Sequence, residues 1–267
     1  MKHALTVLVV ATVLAVPAAA SAAPSGNSIA ALGDSITRAF DTCSIAYIDC
    51  PANSWSTGTN TTVQSWYTRV LATNPGISGH NYNDAKTGAK MVDLQGQASA
   101  AVAQQASIVT ILMGANDVCT SSVSTMTPTS TLGNQLRAAL TTLTTGDPGA
   151  QIYVASIPNV YHLWEIFHLN WAADFVWTIA GICQSLLANP RSTATADVQR
   201  RQQVANQVVA DNATIGSVCA AFASCHYDGG AAYTVAFTTS DVTTRDYFHP
   251  SVAGQAKAAA AIWAAFP

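Results

Sequence analysis

Residues 107–117 read Ser-Ile-Val-Thr-Ile-Leu-Met-Gly-Ala-Asn-Asp. The run from Ser107 to Met113 carries no charge, is rich in β-branched side chains, and stops at Gly114. A continuous apolar run of this kind marks a strand buried on both faces, since only a sheet covered above and below hides both sets of alternating side chains. Working outward, similar short runs lie at 28–32, halted by Gly33-Asp34-Ser35, and at 151–157, ended by Pro158. A weaker candidate lies at 80–85, and 232–237 is the expected fifth strand. Helical patterns fill the gaps at 63–72, 91–105, 131–144, 195–221 and 252–265. Strands alternating with helices predict βαβ units, and so an α/β fold with a parallel central sheet. No Pro/Ser-rich linker, charge run or repeat divides the chain, so residues 23–267 are expected to form one domain.

Composition narrows the function. The chain has 267 residues, 49% hydrophobic but only 9% charged, against roughly 25% charged in average globular proteins. That balance excludes disorder, which goes with few apolar and many charged residues. Eleven Lys and Arg stand against 14 Asp and Glu, with a pI near 6.0. A nucleic-acid partner is therefore not expected, because phosphate backbones call for a clustered basic face.

Residues 1–22 read as a secretory signal. Met1-Lys2-His3 supplies a charged start, residues 4–16 are apolar but for Thr6 and Thr12, and Pro17 ends the run ahead of Ala18-Ala19-Ala20-Ser21-Ala22. The small residues suit a signal peptidase, and the run is too short for a bilayer that needs about 20 apolar residues. The alternative is an amphipathic first helix. Cleavage near Ala22 removes Lys2 and takes the net charge from −3 to −4. All six cysteines lie beyond that point. In an exported chain disulfides are the default, and six cysteines allow 15 pairings. Cys43 and Cys50 bracket a short loop, as do Cys219 and Cys225, which leaves Cys119 with Cys183. In the chain-entropy model such bridges contribute roughly 2.5 to 4.5 kcal/mol each. A zinc site is the alternative, but there is no Cys-x-x-Cys spacing and only His226 stands beside a cysteine.

In open α/β sheets, sites collect beyond the carboxyl ends of the strands. That rule selects Gly33-Asp34-Ser35, Thr87-Gly88 and Gly114-Ala115-Asn116-Asp117. Ser35 sits where a strand breaks into a turn, with its hydroxyl at an expected helix start. A serine there is usually an N-cap, but it also suits a nucleophile. Asp246 stands three residues before His249, just ahead of the last helical pattern. At that spacing a carboxylate can take the imidazole N–H and stabilise the imidazolium; the plainer reading is a helix cap beside a solvated histidine. Gly88 offers a backbone N–H that no Cβ shields, and Asn116 offers a neutral amide donor for a developing oxyanion. Each is also an ordinary turn residue. Together they fill every role that acyl transfer requires.

These four blocks, Gly33-Asp34-Ser35-Ile36, Gly88, Gly114-Ala115-Asn116-Asp117 and Asp246-Tyr247-Phe248-His249, resemble those of the SGNH, or GDSL, hydrolase superfamily, in the same order and across the chain from residue 33 to 249. The resemblance implies a three-layer α/β/α sandwich with a flavodoxin-like parallel sheet. It implies Ser35 as nucleophile, His249 as base and Asp246 as its orienting acid. It also implies an oxyanion hole made by the Ser35 and Gly88 N–H groups and the Asn116 amide, with no metal or organic cofactor. Asn53-Ser54-Trp55-Ser56-Thr57-Gly58, Ala85-Lys86-Thr87-Gly88-Ala89-Lys90 and Gly114-Ala115-Asn116-Asp117-Val118-Cys119 look like phospholipase B-type segments, except that Ala115 stands where those proteins often carry Gly. The reading is thus a secreted serine esterase acting on lipid or phospholipid esters. The expected partner is a small-molecule or lipid ester, with at most transient contact with lipid surfaces and a monomeric chain. The alternatives are an acetyl esterase of acetylated polysaccharides and a non-catalytic secreted binding protein. Residues 161–187 hold Trp164, Phe167, Trp171, Phe175 and Trp177. They are expected either to wall the pocket for an acyl chain, tethered through Cys183 to Cys119, or to be a buried helix pair of the core. Arg38 is the cation nearest Ser35 in sequence, so a neutral or zwitterionic ester fits better than a strongly anionic one.

Overall fold

Five short strands form one parallel sheet in the computed structural model, which describes residues 24–266. The expected signal segment, residues 1–22, lies outside the described residues. The strands are β1 Ile29–Gly33, β2 Asn81–Asn83, β3 Ile108–Leu112, β4 Gln151–Val154 and β5 Cys225–Tyr227. Every residue of β1 and β3 is buried, as their unbroken apolar runs require. The strand order is β2-β1-β3-β4-β5 with all pairs parallel, which is the flavodoxin-like order with its reversal between β1 and β3.

The helices cover both faces. They are α1 Trp66–Thr73, α2 Leu94–Ala103, α3 Ala115–Val118, α4 Thr129–Gly146, α5 Val160–Phe167, α6 Trp171–Ala180, α7 Gln184–Leu187, α8 Thr195–Cys219 and α9 Val252–Ala264. Alternate strand residues choose the side. Ala30, Leu32, Val109, Ile111, Ile152 and Val154 pack with α2, α4 and α8, while Ile29, Ile108, Leu112 and Tyr153 pack with α1 and α9. The second face is aromatic. The buried Trp66 ring meets Trp55, Tyr153, Trp263 and Phe266 at centroid distances of 5.1 to 6.2 Å. Burying an apolar side chain of this size contributes about 1.5 to 3 kcal/mol, so the two faces carry the sheet between them.

Two expectations need correction. The fifth strand is not at 232–237 but at Cys225–Tyr227, directly after the Cys219–Cys225 disulfide. Residues 228–234 are instead wound into a turn by the Asp228 carboxylate, which accepts from the Gly230 and Ala232 N–H groups at 2.9 and 2.8 Å. Gly229 and Gly230 supply its positive φ values of 63° and 94°. Nor does a helix begin at Ser35. The Asp34 side chain takes the Ile36 N–H, and positive φ at Ala39 and Asp41 breaks the following turns. The cysteines pair as Cys43–Cys50, Cys119–Cys183 and Cys219–Cys225.

Candidate active site

The β1 and β3 ends meet at the topological switch point, where open α/β sheets leave a crevice. Gly33 closes β1 with a φ of 154°, and a Cβ there would come within 2.4 Å of the Leu112 carbonyl oxygen. Only glycine allows the strands to stay this close. The Gln97 side chain from α2 then fixes both polar groups of Gly33, accepting from its N–H at 2.7 Å and donating to its carbonyl at 2.9 Å. Below the turn, Gln255 of α9 accepts from the Trp55 N–H and donates to the Ile36 carbonyl. The Ser54-Trp55-Ser56 stretch is fully buried here, with Ser56 Oγ 2.6 Å from Thr110 Oγ1 of β3. Ser35 is held from strand, helix and loop at once.

On the opposite side, Val242 bridges to Pro250 and the Thr243 N–H donates to the His249 carbonyl. The enclosed turn points both of its functional side chains one way. Asp246 Oδ1 accepts from the backbone N–H groups of Phe248 and His249 at 2.8 and 3.0 Å. Its Oδ2 lies 2.5 Å from His249 Nδ1, and His249 Nε2 lies 2.7 Å from Ser35 Oγ. In the tautomer that satisfies all three groups, Nδ1–H donates to the carboxylate and the serine hydroxyl donates to Nε2. Burial works against charge on Asp246, but the His249 ring and the two backbone N–H groups outweigh it and hold the carboxyl below the usual range. Asp246 is therefore ionised wherever His249 needs an anion. The Phe40 ring lies tilted and the Phe248 ring edge-on to the imidazole, at centroid distances of 4.9 and 5.1 Å.

Asn116 is carried on α3, behind Gly114, whose added Cβ would strike Ile157 Cδ1 at 2.5 Å. Its amide donates to the Ala89 carbonyl at 2.9 Å, leaving the second amide hydrogen free to face a substrate. The neighbouring Asp117 accepts from the Met91 N–H. The Asn-Asp pair thus grips the Gly88 loop at two points, and the Lys86 N–H to Gly33 carbonyl bond grips it at a third. Among the described residues, the N–H groups of Ser35 and Gly88 have no hydrogen-bond acceptor. They are available for an oxyanion.

Ser35, Asn116 and His249 line one cleft together. Gly88 is not among its lining residues. The rest of the lining is mostly apolar and includes Leu163 and Ile166 from α5 and Phe237 and Val242 from the loops after β5. Of Trp164, Phe167, Trp171, Phe175 and Trp177, none lines the cleft. Phe167 and Trp177 are core, and Trp171 and Phe175 point outward. In the sequence, Leu163 and Ile166 carry no feature that separates them from core residues. The Cys119–Cys183 bridge and the Ser185 hydroxyl, which donates to the Val118 carbonyl at 2.6 Å, tie this segment to the Asn116 block. Arg38 is engaged by Asp49 at 2.9 Å and by the Asn83 carbonyl, so it does not offer a free charge beside Ser35.

Two buried carboxyls lie under the site. Burial pushes Asp34 up to about 7, against the pull of the Ile36 N–H and of His249. Asp117 is likewise raised by burial, only partly offset by its hydrogen bonds.

Comparison with known proteins agrees with the fold. The GDSL-like lipase/acylhydrolase family model matches residues 31–257. No curated protein matches the chain in sequence. Among solved structures, a GDSL-like lipase from Parabacteroides merdae ATCC 43184 is similar at a TM-score of 0.53 and 17% identity, covering 89% of this chain and 94% of that one. Phospholipase A1 from Streptomyces albidoflavus NA297 is similar at a TM-score of 0.51 and 15% identity, covering 92% and 100%. At these identities the likeness is one of fold.

Proposed function

The chain belongs to the GDSL-like lipase/acylhydrolase family, and from that membership we propose that it is a secreted serine ester hydrolase that cleaves acyl esters of lipids or phospholipids. The observation that carries this reading is the Ser35–His249–Asp246 chain of contacts, 2.7 and 2.5 Å long, beside a mostly apolar cleft. Ser35 Oγ attacks the ester carbonyl while His249 takes its proton, and Asp246 stabilises the imidazolium. The carbonyl oxygen becomes an oxyanion facing the Ser35 and Gly88 N–H groups and the Asn116 amide. His249 returns the proton to the leaving alcohol. Water then repeats the sequence on the acyl-enzyme, releasing the acid and restoring Ser35. Nothing in this cycle calls for a cofactor.

The cleft supports a lipid acyl chain over an acetyl group, because acetate needs no extended apolar wall. Export is supported by the three disulfides, which persist in oxidising compartments, together with the signal-like residues 1–22. Among the described residues no helix is long and apolar enough to cross a membrane. The proposed working unit is a monomeric domain of residues 23–267 with no nucleic-acid partner. The test is a substrate panel on purified protein, with mass spectrometry of the released acids and a fluorophosphonate probe for the nucleophile. Long-chain fatty acids released from phospholipids or glycerides, with label on Ser35, are the expected result. Acetate released only from acetylated glycans would assign the enzyme to polysaccharides, and absence of label would assign the chain to binding.

A further inference from the structure

Two groups of large apolar side chains are left uncovered. On α6, Trp171, Phe175 and Ile179 repeat at four-residue spacing and are 75%, 62% and 73% exposed, with Leu169 at 75% just ahead of them. In the Cys43–Cys50 loop, Ile45 and Tyr47 are 65% and 63% exposed. Clustered exposure of this kind marks an interaction surface, since soluble proteins seldom leave contiguous apolar patches bare.

Both groups are built on the turn that carries Asp246 and His249. From one side, Trp177 of α6 donates its indole N–H to the Tyr247 carbonyl at 3.2 Å, and Phe167 packs edge-on to the Tyr247 ring. From the other, the Arg245 guanidinium donates to the Cys43 and Ser44 carbonyls at 2.8 and 3.1 Å and pairs with Asp41 at 3.0 Å. The helix preceding α6 also supplies Leu163 and Ile166 to the cleft. The two exposed groups thus sit on segments that pack against residues 245–247 of that turn. The arginines beside them are neutralised locally, Arg191 by Asp174, Arg38 by Asp49 and Arg245 by Asp41.

We propose that α6 and the Cys43–Cys50 loop together form an anchoring surface that seats the cleft on a neutral or zwitterionic lipid surface. The inference rests on the lipid-ester reading above and names where such a substrate is met. Indole and phenol rings favour the boundary between apolar chains and water, and an amphipathic surface helix binds there by inserting its apolar side. Paired arginines provide no attraction for anionic lipid in particular.

The test is sedimentation of the purified protein with phosphatidylcholine vesicles, with and without added phosphatidylglycerol, at low and high salt. Partition onto phosphatidylcholine is expected, with little change on adding anionic lipid or salt. The paired variants Trp171→Ser/Phe175→Ser and Ile45→Ser/Tyr47→Ser should each lower partition about tenfold or more, the scale set by withdrawing two exposed apolar side chains. Turnover of a soluble butyrate ester and the melting temperature should be retained. Ser35→Ala should bind vesicles as the unmodified protein does, which separates this inference from the catalytic reading. Loss of hydrolysis of every ester with binding intact would sink the catalytic reading alone. Variants that bind undiminished, binding confined to anionic vesicles and abolished by salt, or a dimer dissolved by the α6 substitutions would each overturn the anchoring surface.

Discussion

Along one wall of the cleft, at the ends of β1 and β3, the backbone around Ser35 and Gly88 is fixed by buried and partly buried hydrogen bonds: Gly33 by Gln97, Ile36 by Asp34 and Gln255, and the Gly88 loop by Asn116 and Asp117. Along the other wall, α5 is anchored too, by Asn212 on Ile157, the Asn159 cap and the Trp164 indole on the Pro190 carbonyl, but the side chains it gives the cleft include the aliphatic Leu163 and Ile166. The difference separates two tasks. Holding a nucleophile, a base and an oxyanion site to hydrogen-bond geometry needs particular residue types at particular backbone positions. Accommodating an acyl chain needs only apolar volume. The strand-end wall should therefore respond to substitution in rate, and the helical wall in substrate choice.

The sharpest way to break this division is to remove the proposed nucleophile. Ser35→Ala should lower kcat by about 10⁵- to 10⁶-fold, the loss seen when one member of a triad is deleted, while circular dichroism and thermal midpoint stay unchanged. Residual turnover within a hundredth of the original would move the chemistry elsewhere. Asp246→Asn comes next. The amide keeps the shape but no longer provides the anion, and kcat should drop by about 10⁴-fold. Both variants should leave the acyl-length profile, read as relative binding of non-hydrolysed ester analogues, where it was.

The third effect appears in stability rather than rate. Asp34 is fully buried, and that burial raises its carboxyl from 3.8 to about 7. The folded state therefore holds this proton more tightly than the unfolded chain does. The associated stability is complete below about pH 4 and is lost as pH climbs through about 7, a change of roughly 4 kcal/mol at about 1.4 kcal/mol per unit. Asp211, pushed up to about 6 by burial, and Asp117 add to the same slope. Urea midpoints measured across that range should fall with rising pH, and Asp34→Asn should flatten the curve. A midpoint that rises over the same range would contradict it. No such slope is expected from the helical wall, whose lining side chains are mostly apolar.

Asn116→Ala tests a single donor. It should cost about 100- to 1000-fold in kcat with KM little changed, because the amide acts on an oxyanion that exists only in the transition state. An equal rise in KM with kcat constant would instead make Asn116 a ground-state contact.

The same asymmetry explains what the sequence reveals. Ser35, Gly88, Asn116, Asp246 and His249 stand out because strand ends that carry chemistry use few residue types, and the Asp246–His249 spacing is itself a local geometry. The parallel sheet is legible for a similar reason, since residues 107–113 have no other way to be buried. The fifth strand is not, because Cys225-His226-Tyr227 is short and polar while the more apolar 232–237 is bent by Asp228. The bridges from Gln97 and Gln255 to the Ser35 turn join residues 64 or more positions apart and leave no local pattern. On the helical wall, Ile166 and Trp171 look alike as members of an apolar segment. Only packing sends one into the cleft and the other to the surface.

That last distinction yields the smallest effect and the finest test. Ile166 lines the cleft on α5, whereas Trp171 and Phe175 are exposed and do not line it. Ile166→Trp should fill part of the acyl space and lower kcat/KM for long-chain relative to short-chain esters by about tenfold, within the range that one or two methylenes command in a hydrophobic pocket. Trp171→Ala with Phe175→Ala should leave the chain-length profile on soluble esters unchanged, although the same segment carries all three residues. If the outward pair shifted the profile and Ile166 did not, the acyl chain would run over the outer face of α6. The two walls would then no longer enclose the substrate between them.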